Sequence, residues 1–265
     1  MNLYGWANCP EQNKEQILKL KERLVEYLGT NLAGIYLHGS LALGSFNPNA
    51  SDVDVIVLLH EGIGTDLKFE LVQAFLELSN HPSPIEISLI TMDAVHPWKH
   101  PTPFELHSSE YWRERYEEQV RLKNKAFWEG SPVDSDLACH ITLIHQRGIC
   151  LYGLPIKQAF PPVPEQDFRS SLLSDIQYAA NAIHTLPVYG ILTLSRVLSY
   201  LETGDILSKA QAGEWVLPLI PENLRYIVEW AVNRYTGISD ENMQFDEGDL
   251  EQYKNLILSR IDGHR

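Results

Sequence analysis

Leu37-His38-Gly39-Ser40 and, after eleven intervening residues, Asp52-Val53-Asp54-Val55-Ile56-Val57-Leu58-Leu59 are the segments on which the fold turns. The second is β-branched and largely apolar, the composition of a central strand. Successive side chains leave a strand on opposite faces, so Asp52 and Asp54 share one. The rise of a strand sets their Cα atoms about 6.5 Å apart. Upstream, Gly34-Ile35-Tyr36-Leu37 is an apolar run long enough only for a strand, and residues 39–51, rich in Gly, Ser, Asn and Pro, read as a loop. Residues 12–29 repeat apolar side chains at helical spacing (Ile17, Leu20, Leu24, Leu28) and stop at Gly29. Residues 65–79 return to that period. Ile85-Glu86-Ile87-Ser88-Leu89-Ile90 then alternates as a half-buried strand, with Ile85, Ile87 and Leu89 on one face and Glu86 and Ser88 on the other.

The texture changes after residue 92. His96-Pro97-Trp98-Lys99-His100-Pro101-Thr102-Pro103 suits neither a helix nor a central strand, because proline lacks a donor and fixes φ. Residues 134–150 read as helical. Pro155, Pro161, Pro162 and Pro164 mark a boundary, and beyond it helices are expected at about residues 165–185, 189–203, 208–217, 221–235 and 248–262. The expected architecture is an α/β (α+β) N-terminal domain with a mixed sheet, residues 1–157, followed by an all-α bundle, residues 158–265. Gly62-Ile63-Gly64 lacks the third glycine of a dinucleotide fingerprint and reads as a turn. The pairs His96/His100 and His140/His145 read as surface or core histidines rather than metal ligands.

Two carboxylates side by side on a strand repel each other and lose hydration unless a cation sits between them. Magnesium suits that role, since it binds through one or two carboxylates together with substrate phosphates. A Gly39-Ser40 turn brings backbone amides and a hydroxyl close to a phosphate. Glu86 reaches the same site if its strand neighbours that of Asp54, either as a further ligand or as the base that deprotonates an acceptor hydroxyl.

Composition bounds the rest. Apolar residues make up 44% of the 265, which is the balance of an ordinary globular chain. Acidic residues outnumber basic ones 35 to 21, for a net charge of −14, and no basic run marks a nucleic-acid surface. That excess suits a cationic small molecule. The acidic stretch from Asp240 and Glu241 through Asp246, Glu247, Asp249 and Glu251 reads as a solvated helix start. No apolar run approaches the roughly 20 residues of a membrane span. Met1-Asn2-Leu3-Tyr4-Gly5-Trp6 does not read as a signal peptide, and three scattered cysteines suit reduced thiols, so a cytoplasmic location is expected.

The Leu37-His38-Gly39-Ser40 run, Ser51-Asp52-Val53-Asp54 and Glu86 resemble the polymerase-β-like nucleotidyltransferase superfamily. More narrowly, the chain resembles the streptomycin/spectinomycin adenylyltransferases of bacterial aminoglycoside resistance. That likeness extends to Pro97-Trp98-Lys99-His100-Pro101, Phe104-Glu105-Leu106, Asp134-Ser135-Asp136-Leu137 and Pro162-Val163-Pro164-Glu165-Gln166-Asp167. It continues through Leu192-Thr193-Leu194-Ser195-Arg196, Thr203-Gly204, Lys209 and Trp215 to Leu217-Pro218. The resemblance implies an N-terminal nucleotidyltransferase domain and a C-terminal helical bundle with substrates held between them. It implies AMP transfer from ATP to an aminoglycoside hydroxyl with Mg2+. By the same resemblance Asp52 and Asp54 hold the metal and Glu86 is the base. Gly39, Ser40 and Ser51 meet the ATP phosphates, Arg196, Lys209 and Tyr235 reach the nucleotide, and Trp112 helps to hold the acceptor.

Lys209 has a physical argument of its own. Ser208 reads as an N-cap and Gly204 as the preceding helix stop, so Lys209 falls in a first helical turn, where the macrodipole disfavours a cation and attracts a phosphate. The chain departs from the family where drug-binding acids are expected: those positions are Ala182 and Leu186 here, and the nearest substitutes are His184, Tyr189 and Asp175. Two other readings follow from the same residues. One is nucleotidyl transfer to a protein or another non-antibiotic acceptor. The other is a nucleotide-binding sensor or toxin–antitoxin partner without turnover, against which the three clustered carboxylates argue.

Overall fold

The computed structural model describes residues 3–239, 243 and 245–264. Asp240 and Glu241 of the acidic stretch, and Met1 and Asn2 of the N-terminal segment, lie outside the described residues. The chain forms two compact units, one of Tyr4–Phe168 and one built on Arg169–Arg265.

The N-terminal unit is organised by a five-stranded sheet. In chain order its elements are α1 (Glu11–Leu28), β1 (Leu32–Leu37), α2 (Gly39–Leu43), β2 (Val53–Leu59), α3 (Thr65–Leu78), β3 (Ile85–Thr91) and α4 (Met92–Val95). There follow β4 (Thr102–Pro103), β5 (Leu106–Ser108), α5 (Arg113–Arg121), β6 (Val133–Asp134), α6 (Leu137–Arg147), β7 (Ile149–Gly153) and α7 (Ile156–Ala159). The strand order is β5-β3-β2-β1-β7, with β4 and β6 forming a separate two-stranded ladder. Only β2 and β3 are parallel; β1 pairs antiparallel with β2 and β7, and β5 antiparallel with β3. The sheet is therefore mixed.

Its two faces bury different partners. Val53, Val55, Val57 and Leu59 of β2, with Ile85, Ile87 and Leu89 of β3, pack among Ile17, Leu20 and Leu24 of α1 and Phe69, Val72 and Phe75 of α3. The alternate residues Ile56, Leu58 and Ile90 pack with Tyr36, with Leu137, Ile141 and Ile144 of α6, and with Phe160. Each fully buried aliphatic or aromatic side chain contributes about 1.5–3 kcal/mol. Asp54 and Glu86 begin this second series, at the end of the strands where the apolar residues give way to polar ones.

Three elements differ from the sequence expectation. The loop expected at 39–51 opens with α2, a helix of 5 residues that ends at Gly44 in the left-handed region. The helix expected over 134–150 is shorter, and its last residues form β7, which adds an edge to the sheet beside β1. The proline-rich boundary contains α7 and a fully buried Phe160. His96 and His145 fasten this segment: His96 Nε2 lies 3.0 Å from the Ala159 carbonyl, and His145 Nε2 lies 2.9 and 2.8 Å from those of Phe160 and Pro161.

The C-terminal unit is helical: α8 (Glu165–Ala182), whose first turn belongs to the preceding unit, α9 (Pro187–Thr203), α10 (Lys209–Val216), α11 (Arg225–Thr236) and α12 (Glu247–Asp262). Buried Leu194, Val197, Leu198, Ile227, Val228, Tyr253 and Ile257 form its interior. Tyr253 satisfies its buried hydroxyl with Ser195 Oγ at 2.8 Å and the Ile191 carbonyl at 3.1 Å. No helix among the described residues is long and apolar enough to cross a membrane.

Candidate active site

The parallel pairing of β2 and β3 sets Asp54 directly beside Glu86 in the register. Neighbouring strands are about 4.8 Å apart, so the two carboxylates share one face at side-chain range. Both are half-buried. Asp52 stands differently from the expectation. β2 begins at Val53, so Asp52 lies just before the strand and is exposed, whereas Asp54 sits within it.

Gly39 is pressed against Asp54. Its φ is +60°, and a Cβ built there would lie 1.8 Å from Asp54 Oδ2. Only glycine permits both the backbone angle and the approach. The backbone fixes the same contact, because the His38 N–H donates to the Asp54 carbonyl at 3.1 Å. Ser40 Oγ and His38 Nδ1 are buried side-chain atoms without a hydrogen-bond partner among the described residues. A buried hydroxyl left unsatisfied costs free energy unless a ligand completes it. Ser51 is already engaged in the loop, where its Oγ accepts from the Asn47 N–H at 3.0 Å.

Among the described residues no three acidic, histidine or cysteine side chains form a preformed metal cage. The donor set nonetheless fits magnesium. It offers hard carboxylate oxygens and an orphaned hydroxyl beside them, and magnesium takes much of its coordination from phosphates and water.

Sequence spacing did not reveal the imidazoles behind these acids. His140, on α6, has a side chain 15% exposed and pairs with Asp136 at 3.2 Å. Burial works against its charge, but Asp136, with Glu86 and Asp54 beyond, outweighs burial and pushes it up to about 10. His38, with ring centroids 4.6 Å apart from His140, is held neutral by burial and by that neighbouring charge. His107 on β5 meets Ser88 on β3, with Nδ1 2.9 Å from the hydroxyl oxygen. His140 reads from sequence as a surface or core histidine, and in the fold it is half-buried. Its environment could have been found only by pairing α6 with the polar face of β3.

Trp112 lies elsewhere. Its ring stacks on Tyr116 at 6.1 Å and packs against the core on the sheet face opposite Asp54 and Glu86.

The remaining expected residues belong to the C-terminal unit. Ser208 caps α10 in a capping box with Gln211, so Lys209 does occupy the first turn; its Nζ lies 4.9 Å from the centre of the Tyr189 ring. Arg196 on α9 pairs with Asp175 on α8 at 3.7 Å. Tyr235 is half-buried near the end of α11. His184 is exposed and meets Glu251 of α12 at 2.5 Å. The segment 182–190 carries no acid of its own, yet Glu251 brings one to it from distant sequence.

The N-terminal unit is a nucleotidyltransferase domain: residues 17–125 match the family model described as nucleotidyltransferase domain. Residues 158–260 match that described as aminoglycoside adenylyltransferase, C-terminal domain. A spectinomycin 9-adenylyltransferase of Staphylococcus aureus is 28% identical over 91% of this chain and 90% of its own. An aminoglycoside (3'')(9) adenylyltransferase of Escherichia coli is 24% identical over 89% of each. The crystal structure of an Enterococcus spectinomycin adenyltransferase, solved with ATP and spectinomycin, is similar at a TM-score of 0.81 and 26% identity, covering 94% of this chain and 99% of that one. The chain belongs to the aminoglycoside adenylyltransferase family of nucleotidyltransferases.

Proposed function

We propose that the protein transfers AMP from ATP to a hydroxyl of an aminoglycoside-like small molecule, as an antibiotic-resistance enzyme of the cytoplasm. The observation that carries this reading is the register of Asp54 beside Glu86 with the Gly39–Ser40 turn against Asp54. We assign residues 1–157 to nucleotidyl transfer and 158–265 to nucleotide and acceptor binding, a division that the two matched families support. Asp52 and Asp54 would hold a magnesium ion, whose chemistry is to neutralise charge on the triphosphate and the departing pyrophosphate. Ser40 offers its hydroxyl to the phosphates. Glu86 takes the proton from the acceptor hydroxyl as that oxygen attacks the α-phosphorus and pyrophosphate leaves. Lys209, Arg196, Tyr235 and Ser51 are assigned to the nucleotide on family correspondence; Lys209 has in addition its helix N-terminus. His184 with Glu251 supplies the anionic partner for a cationic acceptor. The acidic balance of the chain favours such an acceptor over a nucleic acid.

The test is incubation with ATP, magnesium and a panel of aminoglycosides, read by pyrophosphate release and by a mass gain of one AMP on the acceptor. Silence across the panel, with AMP appearing on protein instead, would replace the small-molecule acceptor by a protein one. Asp54→Asn should abolish both turnover and metal-dependent ATP binding, whereas Glu86→Gln should abolish turnover and keep binding. Equal loss of binding in both variants would make Glu86 a metal ligand rather than the base.

A further inference from the structure

The chemistry above leaves unused the imidazole nearest Glu86 in the sheet. β3 and β5 are antiparallel with Ser88 opposite His107. His107 therefore shares a face with Ser88 and, two residues back along β3, with Glu86. Such a diagonal cross-strand pair is within reach of long side chains. Ser88 is buried, and its hydroxyl occupies His107 Nδ1 at 2.9 Å. From the other side Tyr116 donates its hydroxyl to the His107 carbonyl at 2.7 Å, so the residue is held at backbone and ring alike.

With Nδ1 engaged, Nε2 is the nitrogen left for the charged groups around the ring. These are Glu86 on β3, Asp134 on β6, and Asp136 and His140 at the start of α6; of the acids, Glu86 acts on the ring most strongly. The other two have partners of their own. Asp136 is paired with His140, and Asp134 Oδ1 accepts from the Asp136 N–H at 2.8 Å. Burial keeps His107 neutral, so it carries a single proton. Were that proton on Nδ1, the bare lone pair of Nε2 would face carboxylates. On Nε2 it meets them as a donor, and the Ser88 hydroxyl completes the arrangement by donating to Nδ1.

We propose that His107 is a positioning residue for Glu86: Ser88 fixes its tautomer, and with substrates bound the Nε2–H takes one oxygen of the Glu86 carboxylate, which the structure leaves beyond hydrogen-bonding distance, so that the other faces the acceptor hydroxyl. The proposal rests on Glu86 as the base, and the experiment separates the two. His107→Leu removes the donor, His107→Gln returns an N–H near the Nε2 position, and Ser88→Ala releases the tautomer. With ATP, magnesium and whichever aminoglycoside of the panel turns over, His107→Leu should lower kcat about ten- to a hundredfold, the scale of a lost hydrogen bond to a charged group. KM for ATP should stay unchanged, and the acidic limb of the pH profile should move upward. His107→Gln should recover most of the rate. Histidine 15N–1H correlation spectra of the ligand-free protein should show the Nε2–H tautomer at His107, and a mixture in Ser88→Ala. An Nδ1–H tautomer in the parent protein overturns the proposal, as does His107→Leu turning over within twofold of wild type while Glu86→Gln is dead. Full turnover in Glu86→Gln removes the base assignment and the proposal with it. Should His107→Leu not fold, Ser88→Ala and His107→Gln decide by the same readouts.

Discussion

Replacing Gly39 by alanine imposes two separable penalties. The first is conformational: at φ +60° a residue with a Cβ costs about 1–2 kcal/mol. The second is local to Asp54. The new carbon would start 1.8 Å from Asp54 Oδ2, and Cβ contacts under 3.0 Å are essentially never seen, so the carboxylate must retreat by more than 1 Å. Displacement of a reacting or metal-holding group on that scale costs about a hundredfold in rate. Gly44 supplies the control. It closes α2 at φ +74°, and an added Cβ there meets nothing within 4 Å. Gly44→Ala therefore carries the same backbone strain without touching the carboxylate. The expectation is that both variants lose similar stability in urea melts, while only Gly39→Ala loses metal-dependent ATP binding and turnover, measured by calorimetry and pyrophosphate release. Equal activity in the two variants, or unimpaired ATP binding in Gly39→Ala, would refute the view that this glycine exists to seat Asp54.

Lys68→Ala should destabilise the protein by about 3–5 kcal/mol in chemical denaturation, because Lys68, 3% exposed, pairs with Glu105, 13% exposed, at 3.1 Å, and its loss strands a buried charge. Glu110 accepts from Arg113 at 2.7 and 3.0 Å, from Ser79 at 2.6 Å and from Asn80 at 2.7 Å. The Arg113 guanidinium holds its carboxyl below the ordinary value, with Ser79 and Asn80 adding to the effect. A depressed carboxylate stabilises above its unfolded pKa and loses that contribution as pH falls through the folded one. Glu110→Gln should thus cost about 1–3 kcal/mol at pH 7, and the gap from wild type should close on acidification below the ordinary carboxylate range. Ser208→Ala should cost about 1 kcal/mol by removing the cap on α10, seen as a lowered urea midpoint, since Ser208 Oγ accepts from the Gln211 N–H at 3.3 Å.

The acids were legible because strand chemistry is local. An apolar β-branched run opening on Asp-x-Asp, and an alternating run holding Glu86, each announce a strand and a face. The parallel register that joins them follows from one short crossover through α3. Gly39 was legible as a turn, though not as a seat for Asp54, because that contact depends on where β1 ends relative to β2. α2 was missed since five residues are too few to show a helical period. β7 was missed because it follows α6 after a single residue, Gly148.

The imidazoles resisted for a different reason. His38, His107 and His140 lie on β1's end, β5 and α6, and no spacing in the chain relates them. What relates them is the sheet. β5 adds to the free edge of β3, and α6 covers the face on which Asp54, Glu86 and Ser88 emerge. A polar row at the rim of an otherwise apolar face needs partners from whatever packs there, and here those partners are a protonated His140 backed by Asp136 and a neutral His107 tied to Ser88. The same reasoning explains Glu251. The segment around Ala182 and Leu186 lacks acids in sequence, but α12 carries one to His184. Around His184 the acid therefore comes from a distant element, where Glu251 also pairs with Lys254 at 2.5 Å. Substitutions that alter acceptor choice are accordingly expected on α12 as well as in the segment itself, and exchanging Glu251 for glutamine should weaken the most cationic acceptors first, as an increase in their KM with that for ATP unmoved.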